Sequence, residues 1–162
     1  MNKAALVFVA LAAAASSGAF AHGEKAQASK EKKALSTEEK PFGREGDPKK
    51  ATRTIKVDMN DKMRFSPGTL EVKRGEIVRF QVKNSGKTMH EMVLGTMKEL
   101  QDHAELMRKH PGMEHDEPYM AHVAPGKTEN IVWQFTKAGE FHYGCLIPGH
   151  FEAGMKGKIV VR

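Results

Sequence analysis

Hydrophobic and polar positions alternate along most of this chain, but not at its start. Ala4 to Ala15 is an unbroken apolar run behind a short polar start, Asn2-Lys3. Ser16-Ser17-Gly18 follow, then Ala19-Phe20-Ala21, the small-x-small pattern that signal peptidase reads. The run is too short to span a hydrocarbon core comfortably. Residues 1–21 are therefore expected to be a signal peptide cleaved after Ala21, leaving no membrane span in the mature chain. From His22 to about Lys50 the chain is polar and charged, with Leu35 and Phe42 as its large apolar residues. It has too little apolar surface to offset its ordering entropy, so residues 22–51 are expected to be a disordered or loosely docked leader. A short helix could start at Ser36-Thr37-Glu38-Glu39.

From Thr52 the period becomes two. Thr54 to Met59 alternates, and Met63 to Gly68 reads as a short strand running into a turn. Thr69 to Lys73 turns Leu70 and Val72 inward, and Ile77 to Val82 places Phe80 and Val82 on one face. His90 to Leu94, Glu129 to Phe135, Gly139 to Tyr143 and Lys156 to Val161 complete the strands. Short strands punctuated by Gly and Pro indicate a single all-β sandwich domain over residues 52–162. One segment has a different period. In Thr96 to His110, Met97, Leu100, Ala104 and Met107 recur at three- and four-residue spacing. Thr96 and Glu99 can form a capping box and Pro111-Gly112 a stop, so an inserted amphipathic helix is expected, followed by a loop to about His122.

Composition changes this picture at one point. The formal charge of +6 includes Lys3, and much of the excess lies in the leader. That mild basicity, with no interleaving of Arg or Lys with aromatics, gives no indication of nucleic-acid binding. The sharper bound is a single cysteine, Cys145. Exported proteins normally pair their cysteines, so a lone one should be intermolecular, reactive, metal-bound or an inert buried thiol.

Its surroundings favour metal. Phe141 to Met155 contains Cys145, His150 and Met155 in the spacing Cys-x4-His-x4-Met, with Pro148, Gly149 and Gly154 between them to make a tight loop. A further imidazole, His90, lies at the start of an earlier strand. Two histidines and a cysteine in a trigonal plane with a weak axial methionine form the electron-transfer copper arrangement. Zinc also accepts Cys and His, but methionine is a poor zinc ligand.

The stretch Cys145 to Met155 resembles the ligand loop of the cupredoxins, the type 1 copper proteins, and is closest to longer-loop members such as rusticyanin and auracyanin. Phe65-Ser66-Pro67-Gly68, Gly75-Glu76, Asn84 and Gly139-Glu140-Phe141 extend the likeness over roughly residues 52 to 162. With the Met/His-rich insert of about 96–122, the chain is most similar to bacterial periplasmic copper-tolerance cupredoxins. The resemblance implies a Greek-key β-sandwich in the periplasm, with one type 1 copper held by His90, Cys145, His150 and Met155. It also implies a surface-near His150 beside Ile147, Pro148 and Phe151. Many family members carry Asn after the first His, its side chain tying the two ligand loops together. Here the residue is Glu91, so a looser site is expected.

Six methionines and five histidines lie between Met89 and His122. On a helix His103, Met107 and His110 share a face, and Met113 and His115 follow. Thioethers with imidazoles suit Cu(I), so these residues are candidates for a second, weaker copper site. Met107 could equally be core and the histidines solvated. After cleavage His22 would offer an imidazole and an α-amine, a possible incidental copper chelate. The function these readings imply is copper tolerance by binding, buffering or redox handling. The alternative is a one-electron carrier with a periplasmic redox partner. A copper oxidase fits less well: no His-x-His occurs, and four protein ligands leave no open position for a substrate. Nothing in the pattern requires an oligomer, so a monomer is expected.

Overall fold

The computed structural model describes residues 34–162, apart from Gly112 and Glu114. The expected signal peptide and His22 lie outside the described residues. Among the described residues, ten strands form two five-stranded sheets. The first contains β1 (Arg44–Glu45), β8 (Thr128–Gln134), β5 (Ile77–Asn84), β2 (Arg53–Asn60) and β3 (Arg64–Ser66), in that order. The second contains β4 (Thr69–Val72), β10 (Lys156–Val161), β9 (Gly139–Gly144), β6 (His90–Gly95) and β7 (Met120–Val123). β2 runs parallel to β5 and β4 parallel to β10, while the other pairs are antiparallel. Alternation fixes which side chains enter the core between the sheets. In β5, Val78, Phe80 and Val82 are fully buried while Arg79, Gln81 and Lys83 point away.

β6 breaks this rule for a reason. All six of its residues are buried. Met92 and Leu94 face the main core, whereas Val93 joins a second cluster with Leu100, Ala104, Met107, Met120, Leu146 and Phe151. That cluster sits under helix α1 (Met97–Lys109), which covers the outer face of the second sheet. Burial on both faces accounts for the unbroken apolar run Met92-Val93-Leu94 at the centre of β6, after the buried polar pair His90-Glu91. The capping box expected at the helix start is present: Thr96 Oγ1 accepts from the Glu99 N–H, and Glu99 accepts from the Thr96 N–H.

Two expectations are corrected. The connection after α1 is not loop as far as His122, because Met120–Val123 forms β7, antiparallel to β6. The leader is also docked rather than loose over its described part from Lys40. Phe42 is buried, stacked on Trp133 at 5.1 Å, and its carbonyl accepts from Trp133 Nε1 at 3.0 Å. Arg44 and Glu45 then pair with β8. A single well-placed aromatic ring supplies the buried surface that average composition conceals. Ser36 to Glu39 is not helical.

Candidate metal centre

The candidate donors come from the ends of three strands in the second sheet. β9 ends at Gly144 and β10 starts at Lys156, and these two residues pair in the ladder. The chain between them must therefore leave and return at one place. Its own backbone closes it: the Cys145 N–H donates to the Met155 carbonyl at 3.0 Å, and the Met155 N–H to the His150 carbonyl at 3.0 Å. Inside the loop, Ile147-Pro148-Gly149-His150 makes a turn with Gly149 at φ +88° and the His150 N–H donating to the Ile147 carbonyl. Proline followed by glycine at positive φ is what a type II turn requires. Gly144 permits the close approach of Phe151, since a Cβ there would lie 2.9 Å from the Phe151 ring.

His90 is placed by a separate set of bonds. Asn84 is fully buried; its amide donates to the Thr88 and Val123 carbonyls, and its oxygen accepts from the Gly86 N–H. Asp61, in the turn between β2 and β3, accepts from the Lys87 N–H and the Thr88 hydroxyl. The Asp61 carboxylate lies 3.1 Å from His90 Nε2. The N–H of Lys87, followed by the Thr88 hydroxyl and His90, holds the Asp61 carboxyl well below the usual carboxylate range. With Nε2 engaged, Nδ1 of His90 is buried and has no hydrogen-bond partner. Its free lone pair is therefore the one available to a metal.

That nitrogen belongs to a tight group. Donor atoms of His90, Cys145 and His150 lie within 4.8 Å of one another, and Cys145 Sγ is 3.2 Å from His150 Nδ1. The imidazole centroids of His90 and His150 are 5.1 Å apart. Burial pushes the Cys145 thiol up to about 12, against the N–H groups of Glu91 and Ile147, which pull it down. Burial, then the neighbouring His90, lowers His150. The metal-free site at neutral pH thus holds a thiol and a neutral imidazole at His150, and a metal must displace the thiol proton. One soft sulfur and two imidazoles, with a fully buried Met155 closing the loop, is a donor chemistry that fits copper.

A family model for copper-binding proteins of the plastocyanin/azurin family matches residues 51–162. The chain belongs to that family. This cupredoxin is 57% identical over 122 residues to the copper-resistant cuproprotein CopI of Rubrivivax gelatinosus, covering 75% of this chain and 74% of that protein. It is 36% identical over 150 residues to the protein of the same name in Pseudomonas aeruginosa, covering 75% and 82%. Among solved structures, the reduced auracyanin of Roseiflexus castenholzii superposes with a TM-score of 0.60 at 20% identity, covering 69% of this chain and 98% of that one. Auracyanin A of Chloroflexus aurantiacus gives 0.58 at 23%, covering 67% and 98%. These likenesses show the shared fold.

The cupredoxin differs from the sequence expectation at Glu91. Far from leaving the ligand loops untied, its buried side chain accepts from the Leu146 N–H at 2.7 Å, directly after Cys145. The longer side chain places a carboxylate oxygen where that N–H needs an acceptor. The other oxygen meets His122 Nε2 at 3.0 Å, because Glu91 and His122 are directly opposed in the β6–β7 ladder. Phe151 does not flank His150 at the surface but is buried in the cluster beneath α1. Asp61 was not distinguishable in the sequence, since a turn aspartate carries no sign of a histidine 29 residues away. Of the insert candidates, His103 and His115 come together, with ring centroids 4.6 Å apart. Met107, Met113 and His115 line one cleft. His110 ends the helix as its exposed C-cap residue. No helix among the described residues is long and apolar enough to cross a membrane.

Proposed function

We propose that this cupredoxin is a periplasmic type 1 copper protein that contributes to copper tolerance, with His90, Cys145, His150 and Met155 as its ligands. The observation that carries the assignment is the unpartnered, buried Nδ1 of His90, grouped with Cys145 and His150. Burying such an atom without a partner costs about 1–3 kcal/mol, a cost that metal ligation would remove. The names of the two CopI relatives support the role in tolerance. Bound copper would supply a one-electron couple. The protein's part is to hold a thiolate, two imidazoles and a thioether in one geometry, with Asp61 orienting His90 and Glu91 fixing the corner after Cys145.

The decisive experiment loads the chain from His22 onward with Cu(II) and records visible absorption and electron paramagnetic resonance beside Cys145→Ser. An intense visible band with narrow hyperfine splitting, absent from the variant, is expected. An ordinary Cu(II) spectrum indifferent to the variant would overturn the assignment.

A second reading, a one-electron carrier, has its own observation. His150 is part-exposed, with the exposed Pro148 and Met89 and the part-exposed Ile147 in the same region. Such a surface suits transient docking of a redox partner. A deletion strain separates the two readings. Copper sensitivity rescued by the wild-type chain but not by Cys145→Ser supports tolerance, whereas a respiratory defect without added copper supports the carrier.

A further inference from the structure

The insert contains a second histidine group that the first centre does not use. His103 lies on α1, His115 in the segment after it and His122 on β7. They are brought together because α1 covers the outer face of β6 and β7, the same face on which Glu91 and His122 stand opposed. The His115 ring lies between the other two, 4.6 Å from His103 and 6.4 Å from His122, centroid to centroid.

His115 carries the decisive observation. Both of its ring nitrogens are buried and neither has a hydrogen-bond partner. A neutral imidazole has one N–H and one lone pair, and leaving both unmet is costly. The same orphaned state marks His90 Nδ1 at the first centre. Thioethers complete the set. Met107 and Met113 line, with His115 and His122, a cleft of about 750 Å³ that also reaches Glu91.

We propose that His103, His115 and His122, with the thioethers of Met107 and Met113, form a second copper site selective for Cu(I), linked to the first centre through Glu91. Imidazole and thioether donors together favour the cuprous ion. Among the described residues, His90, Cys145 and His150 are the one group whose donor atoms already lie within 4.8 Å of each other. The second site must therefore draw its donors in around the ion, which makes it the weaker and more exchangeable of the two. Glu91 supplies the link. One of its oxygens contacts His122, the other accepts from the Leu146 N–H, and its own N–H points to Cys145. A metal that takes His122 competes with the first of these contacts and shifts the corner that carries the thiolate. The proposal rests on the copper reading above for the identity of the metal.

The test uses the full mature chain with its first site filled. Cu(I) is added without oxygen against a chromophoric cuprous chelator. One further equivalent is expected to bind in the wild type and to be lost in the His103→Asn/His115→Asn double variant. The visible band of the first centre persists in that variant and reports an intact fold. Met107→Leu/Met113→Leu, which keeps the packing, should weaken the second equivalent. On filling the second site with Ag(I) as a redox-inert probe, the Cys145 band of the Cu(II) form should move in the wild type and stay fixed in the histidine variant. No second equivalent in the wild type, or one retained in the double variant as leader binding would give, overturns the proposal. Failure of the first assignment shows separately, as a missing thiolate band. The count is then taken in Cys145→Ser, where one equivalent is expected and should vanish with His103 and His115.

Discussion

Truncation of Glu91 to alanine tests whether the ligand loops are tied by a side chain rather than by the backbone alone. Glu91 is 3% exposed and its oxygen accepts from the Leu146 N–H at 2.7 Å, while Leu146 itself is 1% exposed. Alanine at this position leaves the Leu146 N–H without its protein acceptor. An orphaned buried donor costs about 1–3 kcal/mol, and the lost side-chain volume adds to it, so Glu91→Ala should destabilise the metal-free protein by about 2–3 kcal/mol. In a domain of this size that lowers the melting temperature by roughly 8–12 °C. Glu91→Gln keeps an oxygen for Leu146 and offers its amide to His122, so it should stay within about 1 kcal/mol of wild type. The assay is thermal unfolding of metal-free protein followed by circular dichroism, with the visible band of the Cu(II) form as the second readout. The alanine variant should also broaden or shift that band. Melting of Glu91→Ala within about 2 °C of wild type, or Glu91→Gln as unstable as Glu91→Ala, would refute the argument from a single acceptor oxygen.

Phe42→Ala removes the stack on Trp133 and should cost about 3 kcal/mol in urea unfolding, while leaving the Cu(II) spectrum unchanged. An unaltered midpoint would mean that the leader is not docked in solution. Gly144→Ala sets a methyl 2.9 Å from the Phe151 ring, so about 1–3 kcal/mol of strain and a displaced ligand loop are expected, seen as altered copper hyperfine splitting. The metal-free thiol should resist disulfide reagents. With Cys145 fully buried and pushed up to about 12, its thiolate is scarce at pH 8 and grows as pH rises toward that value. Its rate should be about a thousandfold below that of free cysteine, and a rate near the free one would contradict the burial.

How much of this was legible depends on the range of the interaction. Strands such as Ile77–Asn84 and helix α1 are specified by local period, and the Thr96–Glu99 capping box spans three residues, so each was readable in place. The loop from Cys145 to Met155 carries three donors and its own turn residues, which is why the candidate site emerged from sequence alone. β7 was missed because four residues do not establish a period. Docking of Phe42 was missed because its partner, Trp133, lies 91 residues away. Glu91 shows the same limit most clearly. Its identity was plain, but its role depends on which residue stands across the ladder and on where β9 ends, neither of which a linear pattern contains.

The closure of that loop by its own backbone has a consequence for exchange. Cys145, His150 and Met155 stand on one short excursion whose two ends are paired residues, Gly144 and Lys156. On the ligand set proposed above, folding gathers these side chains before any ion arrives and so prebuilds the chelate. On that ligand set, fraying of the β9–β10 hairpin at that end separates the donors and releases the ion. The lifetime of the bound ion then reports on local unfolding. Substitutions along β9 and β10, distant from every donor, should change the rate of metal release while leaving the spectrum of the loaded centre as it was.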